Sequence, residues 1–207
     1  MFNYCKPDLA IDEGYIKYQC HWENQPSIDQ GDIVELNHWR NQLYNLGLIG
    51  QYDNGIGFGN LSVRLVDSQE IIISGTQTGG IAELTAKHYT KVTDFDWHKN
   101  YVTCQGQIKA SSETLTHGAI YVAQPQVNAV VHVHHRQLWQ QLLNKVPTTN
   151  PDCAYGTPEM AEELIGLCQK PETQKLKIVV MSGHEEGIVT FGKDLDEAGK
   201  ILLDCFS

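Results

Sequence analysis

The chain is short of positive charge. Its 207 residues hold 15 Lys and Arg against 25 Asp and Glu, a formal net charge of −10, and no run of basic residues occurs. That argues against tracking a nucleic-acid backbone, which takes clustered Lys and Arg, and against holding to an anionic membrane surface. A small anionic ligand stays compatible, because backbone N–H groups can hold a phosphate without a basic patch. Long apolar runs are missing as well: no window approaches the ~20 residues of a membrane span. The opening MFNYCKPDLAIDEGYIKY lacks a basic start followed by an apolar stretch, so no secretory leader is expected. Six cysteines, Cys5, Cys20, Cys104, Cys153, Cys168 and Cys205, are scattered without a C-x-x-C pair. In a chain of this length they point to reduced thiols in a cytoplasmic protein rather than a disulfide framework. No internal repeat or low-complexity linker breaks the chain, which is long enough for one domain with a substantial core.

What is present is a mixture of strand and helix patterns. Residues 1–28 are polar and aromatic without clear period and are expected to be an irregular lead-in to a domain over 29–207. From Asp32 the spacing of Ile33, Leu36, Leu43 and Leu46 is helical. QYDNGIGFGN is dense in Gly, Asn and Asp and predicts a loop, while LSVRL and EIIIS predict paired strands. GTQTGG predicts a turn, IAELTAKHY a short helix and KVTDFD a strand. A helix is expected to begin at the serines of SSETLTHGAIYVA, followed by a buried strand, VNAVVHV. TPEMAEELIGLCQK predicts a helix capped by Thr157 with Pro158 in its first turn. LKIVVMSG and GIVTFG predict strands, and DLDEAGKILLDC a last helix. The order implies an α/β sandwich around a mostly antiparallel sheet.

Chemistry concentrates in residues 111–135, SSETLTHGAIYVAQPQVNAVVHVHH. Side chains alternate along a strand, so His132 and His134 share a face, roughly 6.6 Å apart along it. Two such imidazoles can converge on one ion. They can equally be polar residues where a strand leaves the core, and for an H-x-H alone that is the favoured reading. Glu113 falls in the first turn of the helix expected to begin near Ser111, ahead of that strand, with His117 one turn on. The free N–H groups of that first turn and the hydroxyls of Ser111 and Ser112 suit an anion. They suit a helix cap and a dipole-matched carboxylate just as well.

Taken in order, RNQLYNLGLIG, GNLSVRL, IIISGTQTGG, KASSETLTH, VNAVVHVHH, YGTPEMAEEL and GIVTFGKDLDEAGKIL form a set over roughly 33–203. The set resembles the class II aldolase/adducin family, with its first helix, G-N-x-S strand, S-G turn, P-S-S-E-x-x-x-H segment, V-x-H-x-H strand and closing elements. The family's best-known enzymes act on sugar phosphates such as fuculose 1-phosphate and ribulose 5-phosphate. The resemblance implies a three-layer α/β/α sandwich. It assigns His132 and His134 as zinc ligands, with His184 as the candidate third, and another divalent metal as the alternative. It assigns Glu113 as the acid/base carboxylate and Asn60, Ser74, Gly75, Ser111 and Ser112 to a substrate phosphate. It implies a small-molecule substrate and a homo-oligomer, with a tetramer favoured; the charge balance is what argues against a nucleic-acid or membrane partner.

The match has departures. The family has Gly directly after the third histidine, whereas GHEEG inserts Glu185 and Glu186, as an extra acid group, a ligand or a solvated turn. Ala110 stands where the family has proline, and no tyrosine follows Tyr155, although family aldolases use tail tyrosines as proton donors. The QYDNGIGF loop is placed to reshape the phosphate end. Tyr121 and Tyr155 are expected to pack, His117 to pack or hydrogen-bond behind Glu113, and His21, His38, His88 and His98 to lie on the surface or in loops. Family epimerases carry Asp where Glu113 stands, which favours a zinc-dependent, aldolase-type lyase that acts on a phosphorylated ketose or sugar acid through a metal-stabilised enediolate. The alternatives are a related epimerase, dehydratase or decarboxylase, or a non-catalytic adducin-like assembly module.

Overall fold

The segment Ala129–His134, AVVHVH, is buried at every position, so it has to run through the middle of a sheet covered on both sides. A computed structural model, which describes residues 14–65 and 68–206, builds the rest of the domain around it. In chain order the elements are β1 (Gln19–Asn24), α1 (Val34–Asn45), β2 (Gly50–Gln51), β3 (Gly57–Phe58), β4 (Asn60–Arg64), β5 (Ile71–Ser74), β6 (Tyr89–Asp96), β7 (Tyr101–Gly106), α2 (Thr114–Ala123), β8 (Ala129–His134), α3 (Arg136–Leu142), α4 (Pro158–Cys168), α5 (Pro171–Leu176), β9 (Ile178–Val180), β10 (Gly187–Gly192) and α6 (Leu195–Phe206). Eight strands form one sheet in the order β1-β7-β6-β5-β4-β8-β10-β9. Every neighbouring pair is antiparallel except β1 and β7.

Strand alternation sorts the core into two layers. On one face Ile71, Ile73, Val130, Val189 and Phe191 pack with Leu115, Ile120, Met160 and Leu164 of α2 and α4. On the other, Ile72, Val131, Val133, Val180 and Ile188 pack with Leu36 and Leu43 of α1 and Leu195 and Leu202 of α6. This is the expected α/β/α sandwich. Each of these Leu, Ile and Val side chains contributes roughly 1.5–3 kcal/mol by leaving water. His132 and His134 alternate with the valines, so they share the α2/α4 face with Val130.

Several local expectations are met. Thr157 caps α4, its Oγ1 accepting the Met160 N–H at 3.3 Å, with Pro158 in the first turn. LSVRL and EIIIS pair as β4 and β5. Others are corrected. The lead-in, as far as it is described from residue 14, contains β1, which adds to the sheet edge beside β7; residues 1–13 lie outside the described residues. IAELTAKHY forms a single 3-10 turn, Ala86–His88, because β6 starts at Tyr89 to pair with Ser74 and leaves no length for a helix. QYDNGIGFGN contains the short β2–β3 pair. The regular helix after the serines starts at Thr114, and residues 111–113 form a turn ahead of it, with Thr114 N–H donating to the Ser111 carbonyl at 3.0 Å.

Helix α6 lies on α1 through Gly199: a Cβ there would stand 2.2 Å from the Trp39 ring. Trp39 cannot swing away freely, because its Nε1–H donates to Asp196 Oδ1 at 2.9 Å. Gly199→Ala is therefore expected to destabilise by about 1–3 kcal/mol, despite a helix-propensity gain of about 1 kcal/mol. A urea midpoint at or above that of the unaltered protein would contradict this packing.

Candidate active site

Two rings of the site come from β8 and one from the turn between β9 and β10. That turn, MSGHEEG, folds back tightly: His184 N–H donates to the Met181 carbonyl at 3.1 Å and Gly187 N–H to the His184 carbonyl at 2.9 Å. Gly187 is opposite His134 in the β10–β8 register. A Cβ on it would sit 3.0 Å from the His184 carbonyl and 3.2 Å from the His132 ring, so a side chain here would crowd both rings. His132, His134 and His184 are all buried and offer ligand atoms that lie within 4.8 Å of one another. The structure thus brings together the three histidines expected from sequence.

Hydrogen bonds fix how two of the rings point. His132 Nδ1–H donates to the Ile188 carbonyl at 3.1 Å. His134 Nδ1–H donates to Tyr52 Oη at 2.8 Å, and that hydroxyl donates to Glu186 Oε2 at 2.9 Å. Both Nε2 atoms are left with lone pairs, and they face each other at 3.0 Å. Burial holds both imidazoles well below their ordinary pKa, reinforced by His184, so protonation does not relieve the opposition of the two lone pairs. A cation would. A tetrahedral ion with bonds of about 2.0–2.1 Å holds neighbouring ligand atoms roughly 3.3–3.4 Å apart, close to the separation found. Three neutral imidazoles suit a borderline-soft divalent ion and leave a coordination position open.

Glu113 is buried beside this cluster, with Oε1 3.7 Å from His184 Nδ1. Its Oε2 accepts the Thr116 hydroxyl at 2.8 Å. Tyr155, expected to be a packing residue, stacks on His184 with ring centroids 4.6 Å apart. The Lys17 ammonium stands 3.8 Å from the centroid of the Tyr155 ring.

The five candidate phosphate residues gather at one end of the sheet. Asn60 is opposite His132 in the β4–β8 register, and its Oδ1 is buried with no hydrogen-bond partner among the described residues. Ser74 Oγ accepts the Leu61 N–H at 3.3 Å. Gly75 bridges to Ala110, which leads into Ser111 and Ser112. The Gly75 N–H is already used, donating to the His88 carbonyl at 2.8 Å. Ser111 is tied down through its carbonyl, which accepts the Tyr18 hydroxyl at 2.9 Å. His117 lies behind this group: Nδ1 is 2.7 Å from Ser62 Oγ, which in turn is 2.8 Å from Tyr121 Oη.

Tyr52 is the contact that sequence reasoning missed. The QYDNGIGF loop lays Tyr52 and Phe58 against His134, with centroids 6.2 and 5.5 Å from its ring, so the loop shapes the histidine end. Alternating polar and glycine residues gave no signal of this. The two inserted glutamates separate in role: Glu185 is an exposed partner of Arg136 at 2.9 Å, the solvated-turn reading, while Glu186 reaches Tyr52.

Comparison with known proteins agrees with this fold. The sequence model described as "Class II Aldolase and Adducin N-terminal domain" matches residues 50–204. Among solved structures, a sugar-phosphate aldolase from Thermotoga maritima is 20% identical, with TM-score 0.62 over 85% of this chain and 90% of that one. An L-fuculose-1-phosphate aldolase from Thermus thermophilus is 20% identical, with TM-score 0.55 over 81% and 90%. YgbL from Escherichia coli, whose description leaves aldolase, epimerase and decarboxylase open, is 20% identical with TM-score 0.61 over 84% of each chain. At this identity the likeness is one of fold.

The buried histidines make stability sensitive to acid. Burial pushes His117 down to about 3, against about 6.5 in an unfolded chain. Its contribution is present above about pH 6.5 and is lost as pH falls toward 3, at about 1.4 kcal/mol per pH unit. His132 and His134 act in the same direction. Metal-free protein titrated by chemical denaturation between pH 6.5 and 4 is expected to lose stability steeply. His117→Asn should reduce that slope by one proton, and an unchanged slope would contradict the assignment.

Proposed function

The chain belongs to the class II aldolase and adducin family, and from that premise we propose that it is a zinc-dependent, aldolase-type lyase acting on a small phosphorylated ketose or sugar acid. The observation that carries this reading is the convergence of His132, His134 and His184 with Glu113 in one buried cluster. The histidines would hold the ion through neutral nitrogens, so its charge is not cancelled by its ligands. A bound divalent cation supplies charge that polarises a carbonyl and stabilises the anion left by C–C cleavage.

The remaining steps fall to the chain's own groups. Glu113 would move the proton, its side chain oriented by the Thr116 hydroxyl. Asn60, Ser74, Gly75, Ser111 and Ser112 would position the phosphate end of the substrate through side chains and the turn before α2. The engaged Gly75 N–H leaves that glycine a spatial role: its missing Cβ admits Ile108, whose Cγ2 would lie 2.5 Å from it. Burial of these side chains lowers the local dielectric, which strengthens each of these polar contacts. A homo-oligomer, with a tetramer favoured, and a cytoplasmic location belong to the same proposal. No helix among the described residues is long and apolar enough to cross a membrane.

A non-catalytic, adducin-like module is the second reading, and the intact set of three histidines with Glu113 speaks against it. The test is a panel of phosphorylated ketoses and sugar acids, assayed before and after chelation. Aldehyde release that disappears on chelation and returns with zinc is expected. Glu113→Gln should lower turnover by roughly 10²–10⁴-fold while leaving one ion per chain; unaltered turnover would remove Glu113 from the chemistry. Epimer formation without cleavage would redirect the assignment to an epimerase, and absence of both turnover and bound metal to the assembly module.

A further inference from the structure

We infer that Tyr52 and Glu186 are positioning residues for the metal centre, acting through His134. The inference rests on the three-histidine reading and extends it to residues that neither the sequence motifs nor the family match assigns. A carboxylate only accepts hydrogen bonds, so the 2.9 Å contact makes Tyr52 the donor to Glu186. The tyrosine oxygen then accepts from His134 Nδ1–H at 2.8 Å. The chain of donors has one direction, from imidazole to phenol to carboxylate. It fixes the tautomer of His134 and turns the Nε2 lone pair toward His132. A carboxylate at the far end of such a chain raises the donor strength of the imidazole. His132 is treated differently, since a neutral backbone carbonyl holds its Nδ1–H.

Both residues are held in place for this. Tyr52 closes a small turn, its N–H donating to the Ile56 carbonyl at 2.9 Å and its own carbonyl accepting the Gly55 N–H at 2.9 Å. Phe58 packs on its ring with centroids 4.5 Å apart. The Glu186 carbonyl accepts the N–H of His135, the residue after the ligand, at 3.1 Å. Glu186 also has a left-handed backbone, φ 71°, a conformation that favours Gly or Asn. A glutamate kept at such a position costs the fold something that its side-chain contact offsets.

The test compares unaltered protein with Tyr52→Phe, Glu186→Gln, the double variant and Glu185→Gln. Zinc affinity is read by competition with a chromophoric chelator, the visible spectrum is taken after cobalt substitution, and the metal-free proteins are melted. Tyr52→Phe is expected to weaken zinc by 10–100-fold and to shift the cobalt bands, with the metal-free melting temperature little changed. Glu186→Gln should move both readouts in the same direction. The double variant should lose no more than Tyr52→Phe alone, because the chain is already broken at the phenol. Glu185→Gln should bind as the unaltered protein does. Unchanged zinc affinity and cobalt spectrum in both Tyr52→Phe and Glu186→Gln would overturn the inference, as would fully additive losses in the double variant. If the unaltered protein binds neither ion, the three-histidine reading fails first and takes this one with it. Should Tyr52→Phe fail to fold, the comparison of Glu186→Gln with Glu185→Gln decides alone.

Discussion

Two imidazole nitrogens held 3.0 Å apart in a dry interior are the constraint around which the molecule is arranged. Neither ring can take a proton at neutral pH, because burial penalises the charge. Neither can turn its ring over without giving up the bond at its other nitrogen, to the Ile188 carbonyl in one case and to Tyr52 in the other. The opposition is sustained because β8 is an interior strand of a sheet packed on both faces, with Val131 and Val133 locked into the α1/α6 layer. The same alternation that buries the valines therefore enforces the site.

The parts of this arrangement that sequence makes legible are those with a local period. AVVHVH announces a two-sided strand and puts its histidines on one face. Thr157 and Pro158 announce a helix start. The clustering of Glu113 and His184 with the pair follows only from the ordered set of motifs, since residues so far apart in sequence carry no shared period. What escaped was non-local. Tyr52 and Glu186 lie 134 positions apart and meet through the β8–β10 register. The strand YVTCQG does alternate in burial, but Tyr101 on its half-buried face and Cys104 and Gly106 on its buried face hide it from a hydropathy pattern. IAELTAKHY shows the reverse error: helix-forming residues overruled by the need to begin β6 at Tyr89.

Function and stability pull in opposite directions here. Burying three histidines and a glutamate places polar groups in positions where leucine or valine would pack at no desolvation cost. The domain tolerates this because the surrounding layers are dense, with Ile73, Val130, Leu164 and Val189 fully buried on the same face. The Ser62–His117–Tyr121 network shows the compromise at small scale: Ser62 Oγ serves both His117 Nδ1 and Tyr121 Oη, while His117 Nε2 is buried with no hydrogen-bond partner among the described residues.

The parallel edge strand β1 has a consequence for how the pocket behaves in time. Its residues pair with β7 across 82 positions of sequence, as Glu23 and Gln105 show, and among the described residues its other side has no strand neighbour. Closing so long a loop is entropically unfavourable before any contact offsets it, and β1 lies at an edge of the sheet. Lys17 and Tyr18, which cover Tyr155 and fasten the carbonyl of Ser111, are carried on that strand's leading end. One side of the candidate site is therefore fastened through an edge strand, the kind of element that local opening reaches first, while the histidines His132 and His134 are carried by an interior strand.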